Sequence, residues 1–124
     1  MMNSKNQKIV LVVEDDADIL LTVKAFLELE GYSVRTASNG FEALELLKSS
    51  LMPSLILLDM KMPVMNGWQF AAEFLNQHDH KAPIVVMTAA ADAQQRAKDI
   101  DAQGWIGKPF DLNDLLLRVK QCQR

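Results

Sequence analysis

Three short runs, Lys8-Ile9-Val10-Leu11-Val12-Val13, Leu55-Ile56-Leu57-Leu58-Asp59 and Pro83 to Thr88, are apolar at nearly every position and rich in β-branched residues or leucine. A strand with one wet face alternates apolar and polar side chains, whereas a continuous run suits a strand covered on both faces. A chain with three such strands must lay helices over both sides of its sheet.

The segments between them supply those helices. Residues 17–30 carry Leu20, Val23 and Leu27 at helical spacing, with Gly31 where a C-cap belongs. Ser33 to Ala37 reads as a second short strand. Asn39 opens a helix with Glu42 three residues on, a capping box, and with Leu44 and Leu47 inward. A loop over 60–66 contains Pro63 and leads to a helix over Gly67 to Asn76. Residues 92–99 predict a helix with only Ala93 and Ala97 to bury, and Trp105-Ile106-Gly107 a short fifth strand. Asp111 N-caps the last helix, Phe110 and Leu115 form its hydrophobic staple, and Leu112, Leu115, Leu116 and Val119 face inward.

Five strands alternating with five helices imply an α/β fold, a doubly wound parallel sheet. Without repeats, low-complexity stretches or a linker, residues 1–124 form one domain with its core over about 8–121. Hydrophobic residues at 49% and charged residues at 23% fit a soluble globular chain. No apolar run nears the roughly 18 residues that cross a bilayer, and the opening Met1 to Lys8 lacks the apolar core of a signal peptide. The lone Cys122 forms no internal disulfide, which suits a reducing cytoplasm. A net charge of −3 without a basic stripe leaves no footprint for direct nucleic-acid binding.

The polar residues gather where the apolar strands stop. Strand one ends in Glu14-Asp15-Asp16, strand three in Asp59, strand four in Thr88, and strand five runs to Lys108. In an open doubly wound sheet, ligands bind outside the carboxyl ends of the strands. Singly, each residue has an ordinary reading: Asp16 as a helix cap, Asp59 as a turn residue, Thr88 as a strand end, Lys108 as solvated surface. Their joint placement on one edge is what those readings leave unexplained. Clustered carboxylates repel, and a hard divalent cation relieves them; Mg²⁺ takes one or two carboxylates plus phosphate oxygens. A carboxylate beside such a cation can attack phosphorus and form an aspartyl phosphate. Lysine and a hydroxyl then neutralise the equatorial oxygens. Asp59, Lys108 and Thr88 match those needs.

Val12-Val13-Glu14-Asp15-Asp16, Leu57-Leu58-Asp59-Met60-Lys61-Met62-Pro63-Val64-Met65-Asn66-Gly67, Val85-Val86-Met87-Thr88-Ala89-Ala90 and Lys108-Pro109-Phe110 stand in an order and spacing that resemble the receiver domain of two-component response regulators, of the single-domain, chemotaxis-receiver kind. The likeness runs from about Lys8 to Val119. It implies a flavodoxin-like (βα)5 sheet of order 2-1-3-4-5. It further implies Asp59 as phosphoacceptor, Asp15 as direct ligand of Mg²⁺ (or Mn²⁺), Glu14 acting on the metal through water, and the Lys61 backbone carbonyl as another metal oxygen. Thr88 and Lys108 would meet the phosphoryl group, the Lys108–Pro109 bond would be cis, and Thr88 with Trp105 would switch the face of helix four, strand five and helix five. Trp105 departs from the family's Tyr or Phe, and Asp101 from its Gly. The implied partners are a histidine kinase or histidine phosphotransfer protein and a downstream protein effector, with the chain a monomer or a phosphorylation-dependent dimer. It would be a signalling receiver that catalyses only its own phosphorylation and dephosphorylation. It would stand alone or be excised from a longer regulator or hybrid kinase; the opening Met1-Met2-Asn3-Ser4 favours the former.

Other readings fit less well. A haloacid-dehalogenase-type enzyme needs a second acid two residues after its nucleophile, where Lys61 stands. A flavin or nucleotide site needs a Gly-rich or Ser/Thr-rich phosphate loop after strand one, where three acids stand. Met60, Met62 and Met65 suit adaptable packing. His78-Asp79-His80 lies in a polar loop without further metal ligands nearby.

Overall fold

The computed structural model of the protein describes residues 8–49, 52–78 and 82–123. Strands β1 (Ile9–Val13), β2 (Ser33–Ala37), β3 (Leu55–Asp59), β4 (Ile84–Ala89) and β5 (Gly104–Lys108) form one sheet in the order β2-β1-β3-β4-β5. Every neighbouring pair is parallel. Helices α1 (Ala17–Leu29), α2 (Gly40–Ser49), α3 (Gly67–His78), α4 (Ala93–Asp99) and α5 (Leu112–Cys122) connect the strands.

Pleating explains how a continuous apolar run serves two layers, because successive side chains point to opposite faces. Val10, Val12, Leu55, Leu57, Val85 and Met87 join Val23 and Leu27 of α1 and Leu115 and Val119 of α5 in one core. Leu11, Val13, Ile56, Leu58, Ile84 and Val86 pack on the other face with Leu44 and Leu47 of α2, Phe70 and Phe74 of α3 and Ala97 of α4. Central β3 is buried at all five positions, while edge strand β2 exposes Arg35. The Phe70 and Phe74 rings, one helical turn apart, stack with centroids 5.7 Å apart, and truncating either to alanine would cost about 3–5 kcal/mol.

The helix ends follow the expected chemistry with two refinements. Asp16 accepts hydrogen bonds from the Asp18 and Ile19 N–H groups at the start of α1, and Gly31 closes its end at φ 96°. Asn39 Oδ1 caps the Glu42 N–H, but the Glu42 carboxylate reaches back to the Ser38 N–H and hydroxyl, one residue earlier than a capping box requires. The reciprocal box is instead at α3, where Asn66 Oδ1 accepts from Gln69 N–H and Gln69 Oε1 from Asn66 N–H. Helix α3 runs two residues beyond the expected Asn76. Asp111 caps α5, and Phe110 and Leu115 share one core, as a staple requires. Met60, Met62 and Met65 pack in the α2–α3 layer. Of the His78-Asp79-His80 loop, Asp79 and His80 lie outside the described residues. No described helix is long and apolar enough to cross a membrane.

Candidate functional site

Parallel strands bring all their carboxyl ends to one edge of the sheet, so residues distant in sequence meet there. β1 delivers Glu14 and Asp15, and its ladder continues through Glu14 N–H to the Ala37 carbonyl at 3.0 Å. β3 ends on Asp59, whose register partner on β4 is Met87; Thr88 follows it, and Lys108 on β5 pairs with Ala89. The site is sunk into the apolar layers: Glu14 is 1% exposed, Thr88 3% and Asp59 5%. These are the buried polar residues among those described, and all three sit at this edge. Asp15 is exposed at the rim.

One carboxylate oxygen each from Glu14, Asp15 and Asp59 lies within 4.8 Å of the others. Lys108 Nζ stands 2.6 Å from Glu14 Oε1 and 3.7 Å from Asp59 Oδ1. Glu14 Oε2 accepts from Asp16 N–H at 3.1 Å, and Asp59 Oδ1 accepts weakly from Lys61 N–H at 3.4 Å. Buried Glu14 Oε1 faces the ammonium without an aligned hydrogen bond. Burial, and secondarily the charge of Glu14, push the Asp59 carboxyl up to about 7, against the pull of Lys108 and the Lys61 N–H. One ammonium therefore undercompensates three acids. Oxygen donors at this density, one lacking an aligned donor, fit a hard divalent cation.

Two glycines let the backbone close around the site. A Cβ on Gly67 would sit 2.7 Å from Met60 Cα and 2.9 Å from the Asp59 carbonyl oxygen, so α3 can start against this segment only with glycine there. A Cβ on Gly107 would meet Ala90 Cα at 2.5 Å, where the β4–α4 loop rides on β5. The Lys108–Pro109 peptide is cis, as the resemblance implies. Trp105 stands apart from the carboxylates, 41% exposed, in a shallow recess with Ala93, Asp114 and Arg118, and its carbonyl accepts from Arg118 Nε at 3.1 Å. Asp101, which departs from the expected Gly, adopts φ 56°, a conformation glycine takes at no steric cost.

Sequence reasoning assembled the members of this edge but missed that Lys108 approaches Glu14 more closely than Asp59. It also missed Val64, exposed beside the site in a three-residue turn at φ 69°, with Met65 N–H donating to the Pro63 carbonyl at 2.7 Å. Nothing in local pattern marks a valine for that region.

Residues 10–120 match the family model described as the response regulator receiver domain. Among curated proteins, the chain is 38% identical over 117 residues to the regulatory protein VanRB of Enterococcus faecalis, covering 93% of this chain and 52% of that one. It is 35% identical over 125 residues to the probable transcriptional regulator ycf27 of Porphyra purpurea, covering 99% and 50%. The chain thus spans about half the length of the curated relatives it matches. Among solved structures, the chemotaxis response regulator CheY4 of Vibrio cholerae superposes with a TM-score of 0.85 at 32% identity, covering 94% of this chain and 99% of that one. The response regulator protein TrrA of Thermotoga maritima, solved in complex with Mg(2+)-BeF, gives 0.82 at 32% identity with 94% and 99% covered.

Proposed function

Because the chain belongs to the receiver-domain family of two-component response regulators, we propose that it accepts a phosphoryl group on Asp59 from a histidine kinase or histidine phosphotransfer protein. The observation that carries this is Asp59 itself: a nearly buried carboxylate at a strand end, with two more acids and a lysine gathered around it. An Asp59 carboxylate oxygen attacks phosphorus, the bond from phosphorus to the donor imidazole nitrogen breaks, and the electron pair leaves with that nitrogen. Glu14, Asp15, Asp59 and the Lys61 carbonyl are the groups that would hold Mg²⁺ or Mn²⁺; the ion would supply positive charge opposite the phosphoryl oxygens. Lys108 and the Thr88 hydroxyl complete the cradle from β5 and β4.

Trp105, Thr88 and the α4-β5-α5 face form the readout toward a downstream protein. In this reading the molecule is a cytoplasmic switch whose only chemistry is gaining and losing its own phosphoryl group. The test is incubation with a small phosphodonor such as acetyl phosphate in Mg²⁺, followed by intact-mass measurement. One phosphoryl group should add to the parent and none to Asp59→Asn. Addition that persists in the variant would overturn the assignment.

A further inference from the structure

Helix α4 is the shortest helix of the fold. It has seven residues, its buried side chains are the two alanines Ala93 and Ala97, and its N-cap residue Asp92 makes no side-chain capping bond. Two methyl groups interlock little with the sheet beneath them. Its far end, however, is tied to α3 by a three-residue cluster. The Trp68 indole Nε1–H donates to Asp99 Oδ2 at 3.1 Å across 31 residues of sequence. Arg96 pairs with the same Asp99 oxygen at 3.1 Å and lies 5.4 Å from the Trp68 ring centroid, within cation–π range. Gln95 Nε2 donates to the other Asp99 oxygen at 3.0 Å.

Both partners of this tie are wired to the candidate site. Trp68 follows Gly67, whose N–H donates to the Met60 carbonyl at 2.9 Å, directly after Asp59. Helix α4 hangs from Thr88 through a loop held by Asp92 N–H to the Ala89 carbonyl and by Ala90 N–H to the Lys108 carbonyl. We infer that Trp68, Arg96 and Asp99 form a latch that clamps α4 to the first turn of α3 and opposes rearrangement of the phosphoacceptor edge. The inference rests on reading Asp59 as the phosphoacceptor. A group bound at Asp59 that draws Thr88 and its loop toward itself pulls α4 against the latch. Binding and latch are then linked, and weakening either one favours release of the other.

Nothing in the local sequence predicts this cluster, because Trp68 reads as a helix residue and Arg96 and Asp99 as a solvated i, i+3 pair. Its hydrogen bond is charge-assisted, and Gln95 and Trp68 hold the Asp99 carboxyl below its ordinary range.

The experiment uses beryllofluoride in Mg²⁺ as the probe. Trp68→Phe keeps the ring and removes the N–H; Asp99→Asn keeps the shape and removes the charge. Each should bind the probe about three- to tenfold more tightly than the parent, the return on weakening one solvent-exposed hydrogen-bonded contact. The double variant should gain less than the sum of the two, since both changes weaken contacts to the same Asp99 carboxylate. With 5-fluorotryptophan in the parent, the ¹⁹F resonance at position 68, assigned by its loss in Trp68→Phe, should move on saturation. Unchanged or weakened affinity in both single variants, or an unmoved resonance, overturns the latch. A parent that does not bind the probe at all overturns the phosphoacceptor reading instead, and the latch with it.

Discussion

Lys108 Nζ lies 2.6 Å from Glu14 Oε1, while Asp59 Oδ1 is 3.7 Å away, so the lysine of β5 is held by the acid of β1 across the acid of β3. A buried glutamate at 1% exposure needs a counter-charge, and among the described residues this ammonium is the one within reach. With Glu14 engaged elsewhere, Lys108 would be free to pair with Asp59 and any group attached to it.

Removing the lysine should therefore expose the cost of Glu14. Lys108→Ala is expected to destabilise the metal-free protein by about 2–3 kcal/mol, below the value for a fully buried pair because the lysine side chain retains 22% exposure. Glu14→Gln in the same background should recover most of that loss, measured by urea unfolding in chelator. Simple additivity of the two losses would show that the pair does not act as a unit.

Divalent cation affinity should depend on both pH and Asp15. With Asp59 in the proposed ligand set, protons would compete with metal for its carboxyl, which sits at about 7. Mg²⁺ binding is thus expected to strengthen by up to about tenfold per pH unit as pH rises toward 7, and to level off above 8. Asp15→Ala should abolish most of it while leaving the fold intact, since the acids repel each other without a metal. Calorimetric titration at pH 6, 7 and 8 checks both; affinity indifferent to pH would remove Asp59 from the ligand set.

Stability of the metal-free protein carries the opposite sign from an ordinary ion-paired carboxylate. The Asp59 carboxyl is raised in the folded state, above its ordinary 3.8, by burial and by Glu14. Between about pH 4 and 7 the folded chain holds a proton that the unfolded chain has released, so stability falls as pH rises through this window. Asp59→Asn should be stabilising by about 2 kcal/mol at pH 8 and nearly neutral at pH 4. An equal gain at both pH values would contradict the burial of charge at this position.

Gly67→Ala should cost about 2–3 kcal/mol, because the new methyl would press on backbone atoms of Asp59 and Met60 as well as on the yielding Met60 sulfur. Phosphoryl uptake should slow in the same variant, since the push is delivered to the Asp59 carbonyl. Thermal unfolding and the rate of acetyl-phosphate labelling measure the two effects; normal stability would mean that the loop yields freely.

Much of this molecule was legible in advance because its strands are buried on both faces. Ile9–Val13, Leu55–Leu58 and Ile84–Met87 carry no polar alternation, which only a sheet covered twice can use, and the first polar residue after each run marks where the sheet ends. Right-handed crossovers then place those ends together, so Glu14, Asp15, Asp59, Thr88 and Lys108 could be assembled without coordinates. Helix ends were legible for the same local reason, with Asp16, Asn39 and Asp111 capping as their types dictate.

What the linear order could not decide were the contacts whose partners are set by how layers settle against one another. Lys108 choosing Glu14 over Asp59 depends on ångström differences between three strand ends. Gly67 and Gly107 are required by approaches of loops to strands, not by any turn of their own. Trp68 meeting Asp99 depends on how two helices pack on one face. Residue order alone specifies the sheet, its two covered faces and the chemistry at its edge, because periodicity and residue type act locally. Which charges pair and which helices are tied follows from the folded packing, because those energies depend on distances no periodicity encodes.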